Sequence, residues 1–226
     1  KLEKAPTQFR AAMYFHSVRL SLLFSQHKLD ESLNEIESLS RVVEAYPHLI
    51  RDDPSRYINV LHNKIVVLNN LRRFSEVEEV VRKIEAIAVR TQILKNKKFY
   101  ATHNLLMSTF NEAGEFARAQ VVLEDMERKL AGGEVQFLNE RNRITYDFSQ
   151  ANLYFGLGNF VLANKCLQRI IERSDQSLRN DILCFALIMR MIIQYEMKKQ
   201  DLLEYSVRSA YRFLYKRKRI YKFENI

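Results

Sequence analysis

One local pattern recurs five times along the 226-residue chain at nearly constant spacing. In each copy a polar helix end is followed by a two-residue break, an apolar anchor and a new amphipathic segment. The anchors are 42 to 45 residues apart and are Leu29, Phe74, Phe116, Phe160 and Leu202. Self-similarity at a fixed period is the signature of a repeat architecture, in which each unit buries its apolar face only against its neighbours. The sequence therefore predicts a continuous stack of repeats.

The segments between the breaks have helical periodicity. Strand-type alternation is hard to find, and three prolines and five glycines leave few helix breakers. Because no long linker divides the chain, the sequence predicts one all-α domain over 1–226, an α-α superhelix (solenoid) of about five antiparallel helix pairs. The ten predicted helices are 7–26, 29–46, 54–71, 74–90, 93–112, 115–130, 136–157, 159–174, 177–198 and 201–216.

Three positions are predicted to begin or end helices. Asp53 and Pro54 form an N-cap followed by a proline at the first helical position. Gly132 and Gly133 are expected to end the sixth helix, since glycine takes the left-handed conformation without a Cβ penalty. The segment 174–177 is predicted to be a short loop that ends in a cap.

Two copies of the pattern share a fuller signature: an aromatic near the end of one helix, a glycine, an aromatic two residues later and a small residue three beyond it. They comprise Phe110, Gly114, Phe116 and Ala119, and Tyr154, Gly158, Phe160 and Ala163. In these residues the chain resembles the tetratricopeptide repeat (TPR) family. His27, Arg72 and Gln200 replace the glycine in the other copies, and Ser32, Val77 and Tyr205 replace the small residue. The spacing exceeds the family's repeat of about 34 residues, which indicates a long-helix variant and leaves HEAT-like or other α-solenoid arrays as the alternatives.

The resemblance implies that the first helix of each pair lines a concave, peptide-binding face. The partner-binding residues it implies are Asn59, His62, Asn69, Asn104, Ser108, Asn111, Asn152, Phe155, Arg190 and Gln194, with Tyr14, Ser17, Ser21, Phe24, Val66 and Phe148 on the same stripe. Asparagine is a poor helix former, and its amide can pair with an extended backbone. The alternative interpretation is an ordinary solvated helix face.

The residues suggest no catalytic, metal or cofactor site. Gly156 and Gly158 form the chain's one Gly-x-Gly, which lacks the third glycine and the strand of a dinucleotide fingerprint. The five histidines are dispersed without metal-ligand spacing. Cys166 and Cys184 have no paired spacing that would indicate a disulfide or a zinc site. We therefore expect a protein-binding scaffold rather than an enzyme.

The positive charge of the chain is concentrated at its C-terminal end. Of the net charge of +9, most comes from seven lysines and arginines after position 204, interleaved with tyrosines and phenylalanines. The favoured interpretation is that the aromatics pack on the preceding repeat while the cations face water. The alternative is nucleic-acid binding through Arg217, Lys218 and Arg219.

Two further expectations concern context. The longest apolar run, 182–189, is too short for a membrane span, and unpaired cysteines fit a reducing compartment, so a cytoplasmic location is expected. The chain starts without methionine and stops soon after a helical segment, which suggests a fragment of a longer protein. A second functional hypothesis is therefore a sensor or regulatory TPR domain of a larger signalling or transcription-regulating protein.

Overall fold

The structure is a computed structural model that describes residues 8–137, 139–173 and 179–216, without the side chains of 214 and 216. Contacts divide the chain into unit 1 (Lys1–Leu138) and unit 2 (Asn139–Ile226). Unit 1 contains α1 (Phe9–Ser25), α2 (Leu29–Glu44), α3 (Pro47–Asp52), α4 (Pro54–Asn70), α5 (Phe74–Glu85), α6 (Gln92–Phe99), a π-helical segment (Tyr100–Asn104), α7 (Leu105–Ala113) and α8 (Phe116–Ala131). Unit 2 contains α9 (Glu140–Gly156), α10 (Phe160–Ile171), α11 (Asn180–Glu196) and α12 (Gln200–Lys216).

Every regular element in the described part of the chain is helical, which confirms the all-α prediction. Four of the five predicted anchors, Leu29, Phe74, Phe116 and Phe160, are the first residues of α2, α5, α8 and α10. In the fifth copy α12 begins at Gln200, two residues before Leu202. The predicted anchor of that copy was therefore displaced by two residues.

The turn inside each helix pair has one backbone conformation in all five copies. The residue at the turn is left-handed, with φ of 76° at Gly114 and 71° at Gly158. His27, Arg72 and Lys198 adopt φ of 56°, 57° and 55° at the equivalent place. The copies thus share one turn geometry even where the glycine is missing. In the last copy the turn residue is Lys198 rather than the expected Gln200.

The same hydrogen bond closes each of these turns. The backbone N–H after the left-handed residue donates to the carbonyl five residues earlier, which is the Schellman ending of an α-helix. The bonds, all 2.8 to 3.0 Å long, are Lys28 to Leu23, Arg73 to Leu68, Glu115 to Phe110, Asn159 to Tyr154 and Lys199 to Gln194. Each pair is therefore joined by the same tight connection.

Arg72→Gly is expected to raise the free energy of unfolding by about 1 kcal/mol, because it removes the Cβ penalty of a left-handed residue. Urea denaturation of the full chain measures the change. The matched variant is Gly114→Ala, where an added Cβ would contact nothing within 4 Å, so the loss expected there is conformational alone. Loss of stability in Arg72→Gly would contradict this account of the turn.

The pairs stack in chain order within each unit. In unit 1 we define the A helices as α1, α4 and the composite α6–α7, and the B helices as α2, α5 and α8. Each A helix packs on its own B helix, and α2 and α5 also pack on the next A helix. In unit 2, α9 pairs with α10, α11 pairs with α12, and α10 packs on α11. This nearest-neighbour packing is that of a helical repeat.

Small and branched apolar side chains fill both cores. Ala119 and Ala163, the two alanines predicted to allow close approach of the paired helices, are 0% exposed. Residues that are likewise fully inaccessible include Ile36, Ile58, Ile65, Leu68, Val77 and Ile84 in unit 1, and Ala151, Leu167, Ala186 and Ile193 in unit 2.

The structure corrects several local predictions. The segment after α2 was expected to be a connection, but Pro47 begins the short helix α3. The helix predicted over 93–112 is interrupted by the π-helical segment Tyr100–Asn104. Asp53 stands at the N-cap before Pro54, yet its carboxylate accepts from the Arg56 side chain at 2.7 Å instead of capping the backbone. The helix over 115–130 ends as predicted before two glycines, and the loop at 174–177 lies outside the described residues.

Candidate protein-binding surface

Helix α1 carries large apolar side chains on its solvent side as well as in the core. Tyr14, Val18 and Leu22 are 72%, 61% and 54% exposed, and their spacing of four residues places them on one face. Leu20 and Leu23 are buried on the opposite side. Adjacent exposed apolar side chains often mark a surface that a partner covers, so this stripe is a candidate contact surface.

A groove lies beside this stripe, between α1 and α4. It has a volume of about 150 Å³. Its lining consists of Leu20, Ser21 and Phe24 from α1 and Asn63, Val66 and Val67 from α4. Three of these six, Ser21, Phe24 and Val66, were assigned to the binding stripe from sequence, and the structure brings them together. None of the six is charged, so the groove suits an apolar side chain with a neutral polar flank.

The three predicted residues of α4 have different environments. Asn59 is exposed, whereas His62 is half-buried, and its pKa is lowered by burial and by the nearby charge of Lys97. Asn69 is buried, and its Oδ1 accepts from the Thr109 hydroxyl at 3.0 Å. That bond ties α4 to α7. The asparagines of unit 1 therefore do not form one exposed row.

Two other asparagines of the A helices have contrasting positions. Asn104, at the end of the π-helical segment, is 3% exposed, and its Oδ1 has no hydrogen-bond partner. Asn63 is exposed in the groove and was not predicted. Asn63 could have been predicted from helical spacing, because it follows Asn59 by four residues. Both lie opposite the buried face of α4, which is formed by Ile58, Leu61 and Ile65.

The remaining predicted residues make contacts within the fold. Ser108 donates to Glu112 at 3.1 Å, and Asn111 is half-buried. Asn152 donates to the Phe148 carbonyl at 3.0 Å. In unit 2, Phe155 packs its ring 5.8 Å from Phe160, Arg190 is half-buried and Gln194 is 4% exposed. These placements leave the binding assignment of these residues a prediction.

Unit 2 has an exposed apolar stripe of its own on α11. Phe185, Ile192 and Tyr195 are 61%, 45% and 70% exposed and lie on one side of the helix. Ile182, Ala186 and Ile193 are buried on the other side. Sequence reasoning missed this stripe because α11 is apolar on every face, so periodicity alone does not separate core from surface.

The π-helical segment places a histidine in a hydrogen-bonded cluster. His103 Nδ1 lies 2.8 Å from Thr102 Oγ1, and His103 Nε2 lies 2.9 Å from Asp125 Oδ2 on α8. Lys129 Nζ lies 3.0 Å from the same Nε2 and 2.7 Å from Asp125. Burial lowers the pKa of His103, although the hydrogen bond to Asp125 acts in the opposite direction. Burial acts to raise the pKa of Asp125, but hydrogen bonds from Lys129, His103 and Arg128 outweigh it and hold that pKa low.

This cluster has the residue types of a nucleophilic triad, but its hydroxyl is almost inaccessible. A cavity of about 620 Å³ lies beside it, lined in part by Thr102, His103 and Lys129. Thr102 is 1% exposed, and its hydroxyl is within 3.1 Å of the carbonyls of Lys98 and Phe99. A substrate carbonyl would have to reach that buried hydroxyl. The hydrogen bonds of His103 to Asp125 and Lys129 instead hold the π-helical segment against α8.

The described residues contain no group of three or more His, Cys, Asp or Glu side chains arranged to hold a metal ion. None of their helices combines the length and the apolar character needed to cross a bilayer.

The basic C-terminal segment is only partly described. Tyr205, Tyr211 and Tyr215 on α12 are 69%, 51% and 67% exposed, so these rings do not pack on the preceding pair as the favoured interpretation expected. Phe213 does pack against the core of unit 2. The residues proposed to contact nucleic acid, Arg217, Lys218 and Arg219, lie outside the described residues.

No protein-family model, curated protein or solved structure matches this chain significantly.

Proposed function

We propose that this chain is a TPR-like, non-catalytic scaffold that binds a protein or peptide segment on the A-helix face of unit 1. The Schellman turns and the paired, chain-ordered packing support the TPR-like assignment. The exposed apolar stripe on α11 adds a second surface of the kind that partners cover.

The observation that carries the proposal is the surface formed by α1 and α4. Tyr14, Val18 and Leu22 expose apolar area along α1, and the neighbouring groove offers a depression for an apolar side chain. Asn59 and Asn63 supply side-chain amides at the edge of this surface, which can donate to and accept from a peptide backbone. Exposed apolar area beside neutral hydrogen-bonding groups is suited to an extended peptide.

Val18→Asp is expected to weaken peptide binding at least about tenfold, because a charge on the apolar stripe must be desolvated in the complex. The measurement starts with a random peptide library displayed on phage and selected against the full chain. Affinities of the recovered peptides for the two proteins are then compared by fluorescence anisotropy.

Val121→Asp on α8 is the matched control, because Val121 is 65% exposed against 61% for Val18. We expect peptides to bind Val121→Asp and the unmodified chain equally well. If no recovered peptide discriminates between the two variants, the α1 surface is not the binding site. Circular dichroism of both variants checks that the helices are intact.

The regulatory hypothesis stays a prediction beside this one. It adds a sensing role for the same peptide-binding surface and a second activity in the rest of a longer protein. The complete sequence of the parent protein distinguishes a free-standing scaffold from a regulatory domain.

A further inference from the structure

Charge is divided unevenly between the two helix layers of unit 1. The A helices contain seven lysines and arginines against one carboxylate, that of Glu112, whereas the B helices contain six against twelve. Helices α1 and α4, which form the groove, contain no acidic residue at all. A ligand in the groove therefore meets walls without negative charge.

Part of this asymmetry stabilises the pairs themselves. Arg19 Nε lies 3.3 Å from Glu35 Oε2, and Lys64 Nζ lies 3.2 Å from Glu37 Oε1, so two A-helix cations pair with carboxylates of α2. A third A-helix cation, Arg56, pairs with Asp53, the residue that precedes α4, at 2.7 Å. Four of the seven A-helix cations remain outside these ion pairs.

The other A-helix cations do not pair with B-helix carboxylates. Lys97 donates to the Ser55 hydroxyl, and Lys98 donates to the backbone carbonyls of Glu85 and Ile87. These acceptors are neutral oxygens, although the charges of Asp53 and Glu85 act on Lys97 and Lys98 from a distance. Arg10 and Lys95 are exposed to solvent. The A-helix layer therefore carries an excess of positive charge.

Resting on the proposed function, we propose that the segment bound at the α1–α4 surface is an acidic peptide with apolar residues between its carboxylates. The apolar residues occupy the stripe and the groove, and the carboxylates lie toward the A-helix cations. A positive surface accelerates association with an acidic partner and repels a basic one, so it selects the partner by charge. Because Arg10 and Lys95 are solvent-exposed, their attraction for the peptide weakens as salt rises.

The probes are the peptides that depend on Val18 in the library selection, and synthetic copies in which every Asp and Glu is replaced by its amide. We expect the recovered peptides to be acidic and the amide copies to bind about three- to tenfold more weakly at low salt. The difference is expected to shrink between about 50 mM and about 300 mM salt.

Combining Arg10→Glu with Lys95→Glu should reduce the preference for the acidic form. Arg82→Glu, on the B helix α5, is the control and should preserve it.

The outcomes separate this inference from the proposed function. Val18-dependent peptides that are neutral or basic, or amide copies that bind equally well, overturn the acidic partner while the scaffold stands. If no Val18-dependent peptide is recovered, the proposed function fails and this inference fails with it. A dimer seen by sedimentation that Val18→Asp abolishes would assign the face to a second copy of the chain and overturn the acidic-peptide proposal.

Discussion

Replacement of Asp147 by alanine is expected to lower the free energy of unfolding by about 3 kcal/mol. Asp147 on α9 is 4% exposed and accepts a hydrogen bond from Arg169 Nε at 2.9 Å. It also pairs with Arg173, a side chain that is 17% exposed. Removal of the carboxylate leaves Arg169 without its ion-pair partner and Arg173 with Glu140 alone. A cation that loses its buried partner costs more than the ion pair gains.

The surroundings of Asp147 limit the loss to the lower end of the range for buried ion pairs. The Arg169 side chain is 48% exposed, so water solvates it when the carboxylate is removed. Arg173 keeps its contact with Glu140. The Arg169 guanidinium also donates to Gln150 at 2.8 Å. Urea denaturation followed by circular dichroism measures the change.

Asp181→Ala is the control for this experiment. Asp181 also pairs with an arginine, Arg179, at 2.7 Å, but its side chain is 52% exposed. Because an exposed ion pair contributes at most about 1 kcal/mol, the loss there should be small. Equal losses for Asp147→Ala and Asp181→Ala would show that burial of the carboxylate does not matter.

Ala119→Leu is expected to destabilise the chain by about 1 to 3 kcal/mol, because the added atoms have no space in a packed core. Ala119 on α8 is 0% exposed, and its position was predicted from sequence to need a small side chain. The extra volume must move α8 away from its neighbours or force a strained rotamer. Thermal and urea unfolding of the full chain measure the loss.

The same helix provides a matched control in Ala117→Leu. Ala117 is exposed, and leucine is nearly as good a helix former as alanine, so we expect a change within about 0.5 kcal/mol. A loss confined to Ala119→Leu assigns the effect to packing. Equal behaviour of the two variants would remove the close-approach role given to the small residue.

The helices and their turns could largely be predicted from the sequence, for local reasons. Leu29, Phe74, Phe116 and Phe160 begin helices because each follows a helix end by a fixed number of residues and starts a new apolar period. The fifth copy was placed two residues late because its first helical residue, Gln200, is polar, and the search for an apolar anchor chose Leu202 instead. The π-helical segment was not predicted because no sequence pattern indicates an extra residue within a helix.

The candidate surface could be predicted only in part. Ser21, Phe24 and Val66 were expected on one face, and they do line one groove. Val18 was not chosen because α1 is apolar on all sides, and only its packing on α2 shows which residues remain exposed. Asn69 was chosen as a binding residue, yet its amide is buried on Thr109 because α7 covers that side of α4.

The sequence by itself determined the class of fold and the repeat, because helix periodicity and turn geometry depend on residues close together in the chain. It also carried the segregation of charge between the A and B helices, which becomes visible once the helices are assigned to layers. Only the tertiary structure decided which apolar and asparagine residues are exposed, and it placed Asp147 among Arg169, Arg173 and Gln150. Burial depends on which neighbour covers a helix face, and that neighbour can lie 19 to 40 residues away in the chain.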